Sequence, residues 1–68
     1  MKPVSSSLIN QVYYDRRNKI LHILFHGNAY YIYYEVSYYR YRKLMQADSK
    51  GRYFNKYIKN KYKYRRVK

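Results

Sequence analysis

Tyrosine is the main source of apolar surface in this short chain: 13 of its 68 residues are Tyr, two are Phe and none is Trp. A domain of this size hides only about 60% of the surface that its unfolded chain exposes, so its core must be thin. Because the chain has no Cys, neither a disulfide nor a thiolate metal site can reinforce that core. A tyrosine ring can be buried while its hydroxyl stays hydrated, which suits a thin core with a wet rim.

The length allows one domain, residues 1–68, and a hydrophobic content of 47% indicates a folded chain rather than a disordered basic tail. The residues after Met1 lead into no apolar segment of the kind found in signal peptides. No apolar run approaches the roughly 20 residues needed to cross a bilayer. We therefore expect a cytoplasmic domain with no membrane role.

Positive charge is the strongest functional signal, since 16 Lys and Arg against three Asp and Glu give a net charge of +13. Twelve of these cations lie in residues 40–68, where Asp48 is the only acid. Such a density of like charge opposes compaction unless a polyanion neutralises it, and the candidates are nucleic acid, an anionic membrane and an acidic protein. An AT-rich genome would also enrich Lys and Tyr, but it would not deplete acids or concentrate the cations in one half.

The first half of the chain has the alternating pattern of an antiparallel meander. Residues 6–14 predict a first strand with an irregularity inside it, residues 19–25 a second strand and residues 29–36 a third. A polar turn at 15–18 joins the first two strands. Gly27 and Asn28 tolerate positive φ, which predicts a tight hairpin between the second strand and the third.

The second half changes to a helical period and then back to alternation. A first short helix begins near Tyr38 and ends at residues 47–48, and Ser49 is a good N-cap for a second helix that ends near Asn60. Residues 61–66 alternate basic and aromatic residues, which predicts a short C-terminal strand. The predicted fold is α+β: a three-stranded antiparallel meander, two short helices and a last strand (βββααβ).

Basic residues interleaved with aromatic ones suit single-stranded nucleic acid, because cations follow the phosphates and flat groups stack on unpaired bases. The predicted phosphate-binding cations of the second half are Arg40, Arg42, Lys43, Arg52, Lys56, Lys59, Lys61, Lys63, Arg65 and Arg66. The alternative is that these cations bind no ligand and form an ordinary solvated surface. We favour binding, because the scarcity of acids leaves these cations without internal partners.

A more specific hypothesis concerns Ser49, Lys50, Gly51 and Arg52 at the start of the second helix. Free N–H groups and the helix dipole favour an anion there, and cations in the first turn are unfavourable by about 0.3–1 kcal/mol each unless an anion neutralises them. Gly51 would allow close approach of a phosphate to the backbone. The equally weighted alternative is that Gly51 only serves helix packing.

Tyr31 and Tyr33 lie on one face of the third strand, where they could either stack on two bases or belong to the core. The hairpin register decides between the two. A two-residue turn pairs Phe25 with Tyr30 and turns both tyrosines outward, whereas a three-residue loop pairs Phe25 with Tyr31 and turns them inward. The small size of the domain favours the core.

Catalysis has little support in the sequence. The three acids, Asp15, Glu35 and Asp48, are widely spaced, and His22 and His26 would not share a helical face. We therefore predict no catalytic residue, no metal and no cofactor. A metal-independent ribonuclease built from Lys, Arg, Tyr and His is the less favoured alternative.

The chain resembles the KTSC domain, a family named after the C-terminal extension of certain lysyl-tRNA synthetases and also found as small stand-alone proteins. The resemblance rests on Ser5–Ser7, Ile9, Val12, Tyr14, Asp15, Leu21, Ile23, Phe25, Tyr31–Tyr33, Val36, Tyr41, Leu44, Ser49–Asn55, Ile58, Tyr62 and Tyr64. This sequence has Ser37 where the family commonly has proline, and Gly27-Asn28 where the reverse order is commoner. Attachment to a tRNA synthetase implies RNA binding, by analogy only.

From these observations we expect a monomeric, non-enzymatic domain that binds nucleic acid, with RNA favoured over DNA. The alternative from another class is a protein-interaction module that docks on an acidic partner through its tyrosine-rich surface.

Overall fold

Five antiparallel strands form one sheet in chain order, and two helices pack on one of its faces. The structure, a computed structural model, describes all residues from Met1 to Lys68. The elements are β1 (Lys2–Pro3), β2 (Ile9–Asp15), β3 (Ile20–Phe25), β4 (Tyr30–Tyr33), α1 (Tyr38–Gln46), α2 (Lys50–Tyr57) and β5 (Tyr64–Arg66). After the two helices, β5 pairs with β4 at the edge of the sheet.

The predicted βββααβ order is confirmed, with one strand added at the start. The two-residue β1 pairs with β2 and places Lys2 opposite Val12. A segment this short has no periodic pattern from which it could be predicted. The first long strand begins at Ile9 rather than residue 6, because the Ser6 hydroxyl accepts hydrogen bonds from the N–H groups of Leu8 and Ile9 and forms a turn.

The predicted irregularity in the first long strand is a β-bulge. Ile9 lies opposite Phe25 while Gln11 lies opposite Leu24, so Asn10 is the extra residue. Without the bulge, Ile9 and Val12 would face opposite sides of the sheet, since side chains alternate with a period of two. With it, both are buried in the same core.

The hairpin between β3 and β4 differs from both predicted registers. Phe25 lies opposite Ala29, whose carbonyl accepts the N–H of Phe25 at 2.8 Å, and the loop between them has three residues. Gly27 and Asn28 have φ angles of +93° and +72°, as their residue types led us to expect. The three-residue loop therefore starts one residue earlier than the sequence suggested.

Nine residues form the buried core: Ile9, Val12, Leu21, Ile23, Tyr33, Val36, Leu44, Phe54 and Ile58. Tyr33 is the only tyrosine among them, and burial raises the pKa of its hydroxyl. Several other tyrosines are partly buried and pack against this core: Tyr14, Tyr31, Tyr41, Tyr53 and Tyr62. Tyr14, for example, stacks on Tyr41 at 4.6 Å and donates its hydroxyl to the carbonyl of Val36 at 2.6 Å.

Both helices begin at serine N-caps. The hydroxyl of Ser37 accepts the N–H of Arg40 at 3.1 Å, and the hydroxyl of Ser49 accepts the N–H of Arg52 at 3.2 Å. Ser37 thus fixes the helix start by a side-chain hydrogen bond, where a proline would do so by its restricted φ. Neither helix is long and apolar enough to cross a membrane.

Partial burial of His22 on β3 predicts a pH-dependent stability. The imidazole Nδ1 lies 2.8 Å from the hydroxyl of Tyr30, and burial lowers the pKa of His22 below its ordinary value of 6.5, although Asp15 opposes the shift. His22 therefore takes up a proton at a higher pH in the unfolded chain than in the folded chain. Its contribution to the free energy of unfolding is fully present above pH 6.5 and is lost as the pH decreases below 6.5. We expect the urea midpoint to decrease as the pH is lowered from 6.5, and to decrease less in His22→Gln. Identical pH profiles for the two proteins would contradict this assignment.

Candidate nucleic-acid interface

The outer face of α2 carries the most regular set of exposed cations. Arg52, Lys56 and Lys59 are all exposed, whereas Phe54 and Ile58 are buried in the core. The sequence placed these two sets on opposite faces of one helix; in the structure Arg52 and Lys56 lie on α2, whereas Lys59 lies in the turn that follows the end of the helix at Tyr57. The cations of α2 are therefore free to meet a ligand along the length of the helix.

A polar cleft of about 430 Å³ lies between the start of α2 and the serine-rich segment before β2. Its lining consists of Ser5, Ser6, Ser7, Leu8, Asp48, Ser49, Lys50, Gly51, Arg52 and Asn55. Two features weaken the attraction that it can offer to an anion. Asp48 contributes a carboxylate, and the ammonium of Lys50 donates to the carbonyl of Ala47 at 3.1 Å, at the end of α1.

The packing role considered for Gly51 has a direct structural basis. A Cβ at this position would lie 3.3 Å from the Cβ of Leu8, a contact tighter than most. The absence of a side chain lets α2 approach the segment that precedes β2. This contact accounts for the glycine whether or not an anion binds beside it.

An aromatic cleft of about 320 Å³ lies between the other end of α2 and the strands β4 and β5. It is lined by Leu8, Phe25, Ala29, Tyr31, Tyr33, Phe54, Asn55, Lys59, Asn60 and Tyr64. Leu8 and Asn55 line the polar cleft as well, so the two clefts adjoin along α2. Nothing in the sequence indicated this cleft, because its walls come from segments that are far apart in the chain.

The cations of α1 have different surroundings from one another. Arg40 is half-buried between the helices, where its guanidinium donates to the hydroxyl of Tyr53 at 2.8 Å and lies 5.0 Å from the ring centroid of Tyr57. That hydrogen bond raises the pKa of Arg40. Arg42 and Lys43 are exposed. Arg40 is thus engaged in joining the two helices, in contrast to its two basic neighbours.

The last strand is shorter than predicted, and its two arginines lie on opposite faces of the sheet. Tyr64 and Arg66 pair with Tyr33 and Tyr31 on the face that carries the helices, whereas Arg65 pairs with Ile32 on the open face. This is the alternation expected from the sequence. Lys61 and Lys63 are exposed in the turn that precedes β5.

The register of β4 corrects one reading of Tyr31 and Tyr33. Tyr31 pairs with Ile23 and Tyr33 with Leu21, so both tyrosines face the helices. Tyr33 is only 5% exposed and cannot offer a ring face to a base, so the core alternative is right for Tyr33. Tyr31 is half-buried and lines the aromatic cleft.

A row of aromatic residues that the sequence did not predict faces outward on the side of the sheet without helices. Tyr13, His22 and Tyr30 lie side by side there, with ring centroids 5.2 Å and 5.9 Å apart. The alternation of residues 20–25 already placed His22 away from the core. The positions of the two tyrosines depended on the bulge and on the hairpin register.

The structure shows no group of three His, Cys, Asp or Glu residues that could hold a metal ion. His26 lies in the hairpin loop, with its Nε2 2.9 Å from the carbonyl of Ser6.

Comparison with known proteins identifies the family. The family model of the KTSC domain matches residues 5–62. A crystal structure of a KTSC domain protein from Yersinia pestis superposes with a TM-score of 0.95 at 39% identity, covering 98% of this chain and 94% of that one. A protein of Tsukamurella paurometabola is 40% identical over 63 residues, which are 93% of this chain and 94% of its own length.

A longer relative carries a similar segment. The lysine–tRNA ligase of Nostoc punctiforme is 36% identical over 67 residues, which are 98% of this chain but only 12% of the ligase. The family-model match, the sequence identities and the shared fold agree, and we conclude that this chain belongs to the KTSC domain family.

Proposed function

We propose that this KTSC domain is a non-enzymatic, monomeric, cytoplasmic module that binds RNA, mainly through phosphate contacts from the outer face of α2 and the last strand. The observation that carries the proposal is the uncompensated charge. Even if each of the three acids paired with one cation, 13 of the 16 Lys and Arg side chains would have no acidic partner. A phosphate backbone would supply the missing negative charge.

Tyrosine rings make cation–π contacts with several of these cations, which have no acidic partner. Lys56 lies 5.2 Å from the ring centroid of Tyr57, and Arg66 lies 5.7 Å from that of Tyr31. Such cation–π contacts are worth about 0.5–1 kcal/mol at exposed sites. A cation–π contact is made with the face of the aromatic ring and does not occupy every N–H donor of the cation. The remaining donors can therefore bond to phosphate oxygens.

Within the polar cleft we propose a phosphate site formed by Ser49, Lys50, Gly51 and Arg52. The first turn of α2 contains no acid, and the N-terminus of the helix adds its positive dipole. Arg52 is the main candidate, since its side chain is exposed whereas the ammonium of Lys50 already bonds to Ala47. The carboxylate of Asp48 would weaken this site relative to the outer face of α2.

RNA is favoured over DNA because a segment similar to this chain is part of a lysine–tRNA ligase, a protein whose name specifies an RNA substrate. The test is a binding titration at several salt concentrations with RNA and DNA oligomers of matched sequence, single- and double-stranded. We expect log K to fall linearly with log salt, with single-stranded RNA bound most tightly. Absence of binding to every oligomer at low salt would refute the proposal.

A second candidate function, docking on an acidic protein, is favoured by the exposed side of α1. Tyr39 is 61% exposed there and has the guanidinium of Arg40 5.8 Å from its ring centroid, and tyrosine and arginine are the residue types enriched at interface anchors. Pull-downs from lysate with and without nuclease separate the two functions. Partners that persist after nuclease treatment would favour the protein-docking function.

A further inference from the structure

The aromatic cleft has ring walls on several sides. Tyr31 and Tyr64 lie 5.8 Å apart between ring centroids, and Phe25 meets Tyr31 edge-on at 5.7 Å. Phe54 on α2 adds a further ring from the opposite side. Tyr64 is 56% exposed, so one wall of the cleft is reachable from solvent.

Polar groups and cations stand beside these rings. Asn55 and Asn60 line the cleft, and the side-chain amide of an asparagine offers both donors and an acceptor. Lys59 also lines it, and the guanidinium of Arg66 lies above the ring of Tyr31. Flat apolar walls, a few amides and adjacent cations are the groups that recognise a nucleotide: rings for the base face, amides for its edge and cations for its phosphate.

We infer that the aromatic cleft holds one unpaired nucleobase of a bound single strand, an inference that rests on the proposed function and adds a base site to it. The base stacks against Tyr31 and Tyr64, and the adjoining phosphate meets Lys59. The volume of about 320 Å³ is at the lower end of the range for small-ligand sites, which suits a single base. Aromatic pockets also bind organic cations, but Lys59 and the net charge of +13 would repel such a ligand.

The adjoining polar cleft gives the strand a continuous path. At about 1.5 Å per residue, Gly51 lies about 6 Å along the axis of α2 from Asn55, one of the two residues shared by the clefts. A strand that lies along α2 with a base in the aromatic cleft therefore passes the start of the helix as well.

The test compares two exposed tyrosines on opposite faces of the sheet. Tyr64→Ala removes a wall of the cleft, and Tyr13→Ala, at a residue 50% exposed on the open face, is the matched control. The probe is a single-stranded RNA oligomer titrated at several salt concentrations, with urea unfolding as a check of folding. We expect about tenfold weaker binding by Tyr64→Ala with an unchanged salt slope, and binding by Tyr13→Ala within twofold of the parent. Since a stacked base provides this affinity, an oligomer of the same length without bases should bind the parent and Tyr64→Ala equally.

A second variant tests the cleft independently, in case Tyr64→Ala does not fold. Ala29→Leu narrows the cleft while leaving every ring and cation in place, and we expect it to weaken binding of the oligomer that carries bases. Equal binding by the parent, Tyr64→Ala and Ala29→Leu, with a steep salt slope, overturns the base site and leaves phosphate binding standing. Weakening by Tyr13→Ala alone also overturns it and moves the bases to the open face. A parent protein that binds no polynucleotide overturns the proposed function itself.

Discussion

Replacing Arg52, Lys56 and Lys59 together with Gln is expected to weaken binding of single-stranded RNA about a hundredfold at 0.1 M salt, with little dependence on base sequence. Each phosphate contact contributes about 0.7 to the slope of log K against log salt on single strands, so three lost contacts should reduce the slope by about 2. All three side chains are exposed, Arg52 and Lys56 on α2 and Lys59 in the turn after it, so their replacement leaves the core intact. The measurement is a salt-titrated affinity for one RNA oligomer.

The control lowers the net charge by the same amount at a different place. Lys2, Arg17 and Lys19 are exposed on β1 and in the turn between β2 and β3, and their replacement with Gln removes three positive charges without touching α2. We expect this control to lose only a few-fold in affinity, through the weaker overall field. Equal losses in slope for the two triple variants would show that net charge, and not the face of α2, governs binding.

Leu44→Ala is expected to cost about 2–5 kcal/mol in the free energy of unfolding, the range for truncating a fully buried leucine. Leu44 is the only buried residue of α1, so it is the main attachment of that helix to the core. A domain of 68 residues has a total stability of about 3–10 kcal/mol, so this one change should unfold a measurable fraction of the protein at room temperature.

The experiment for Leu44→Ala is urea unfolding followed by circular dichroism. Tyr39→Ala serves as its control, since Tyr39 lies on the same helix but is 61% exposed, and we expect it to cost less than about 1 kcal/mol. A loss in Leu44→Ala no larger than in the control would mean that α1 is held by its aromatic contacts rather than by its one buried side chain.

Those aromatic contacts explain how so basic a chain can fold with few acids. Arg16 lies 3.8 Å from the ring centroid of Tyr38, and Arg40 is enclosed by tyrosines between the helices. A tyrosine ring gives a cation a favourable partner without adding a negative charge. The same side chains that fill the wet rim of the core therefore also support its cations.

Local pattern was sufficient to predict the elements from β2 onward and the basic face of α2. The stripe that contains Phe54 and Ile58, and the serine cap at Ser49, depend only on residues within one or two helical turns. Positions three and four apart share a helical face in any tertiary setting, so the outward direction of Lys56 followed from the sequence.

The sequence by itself thus determined the order of the elements from β2 onward, the charged side of α2 and the need for a tyrosine-rich rim. Only the tertiary structure decided which face Tyr31 and Tyr33 occupy, since a shift of one residue in the hairpin reverses the side of every residue in the strand. The tertiary structure also decided that Arg40 lies between the helices, and that β4, β5 and the end of α2 together form the aromatic cleft. These outcomes depend on contacts between residues distant in the chain, which no local period encodes.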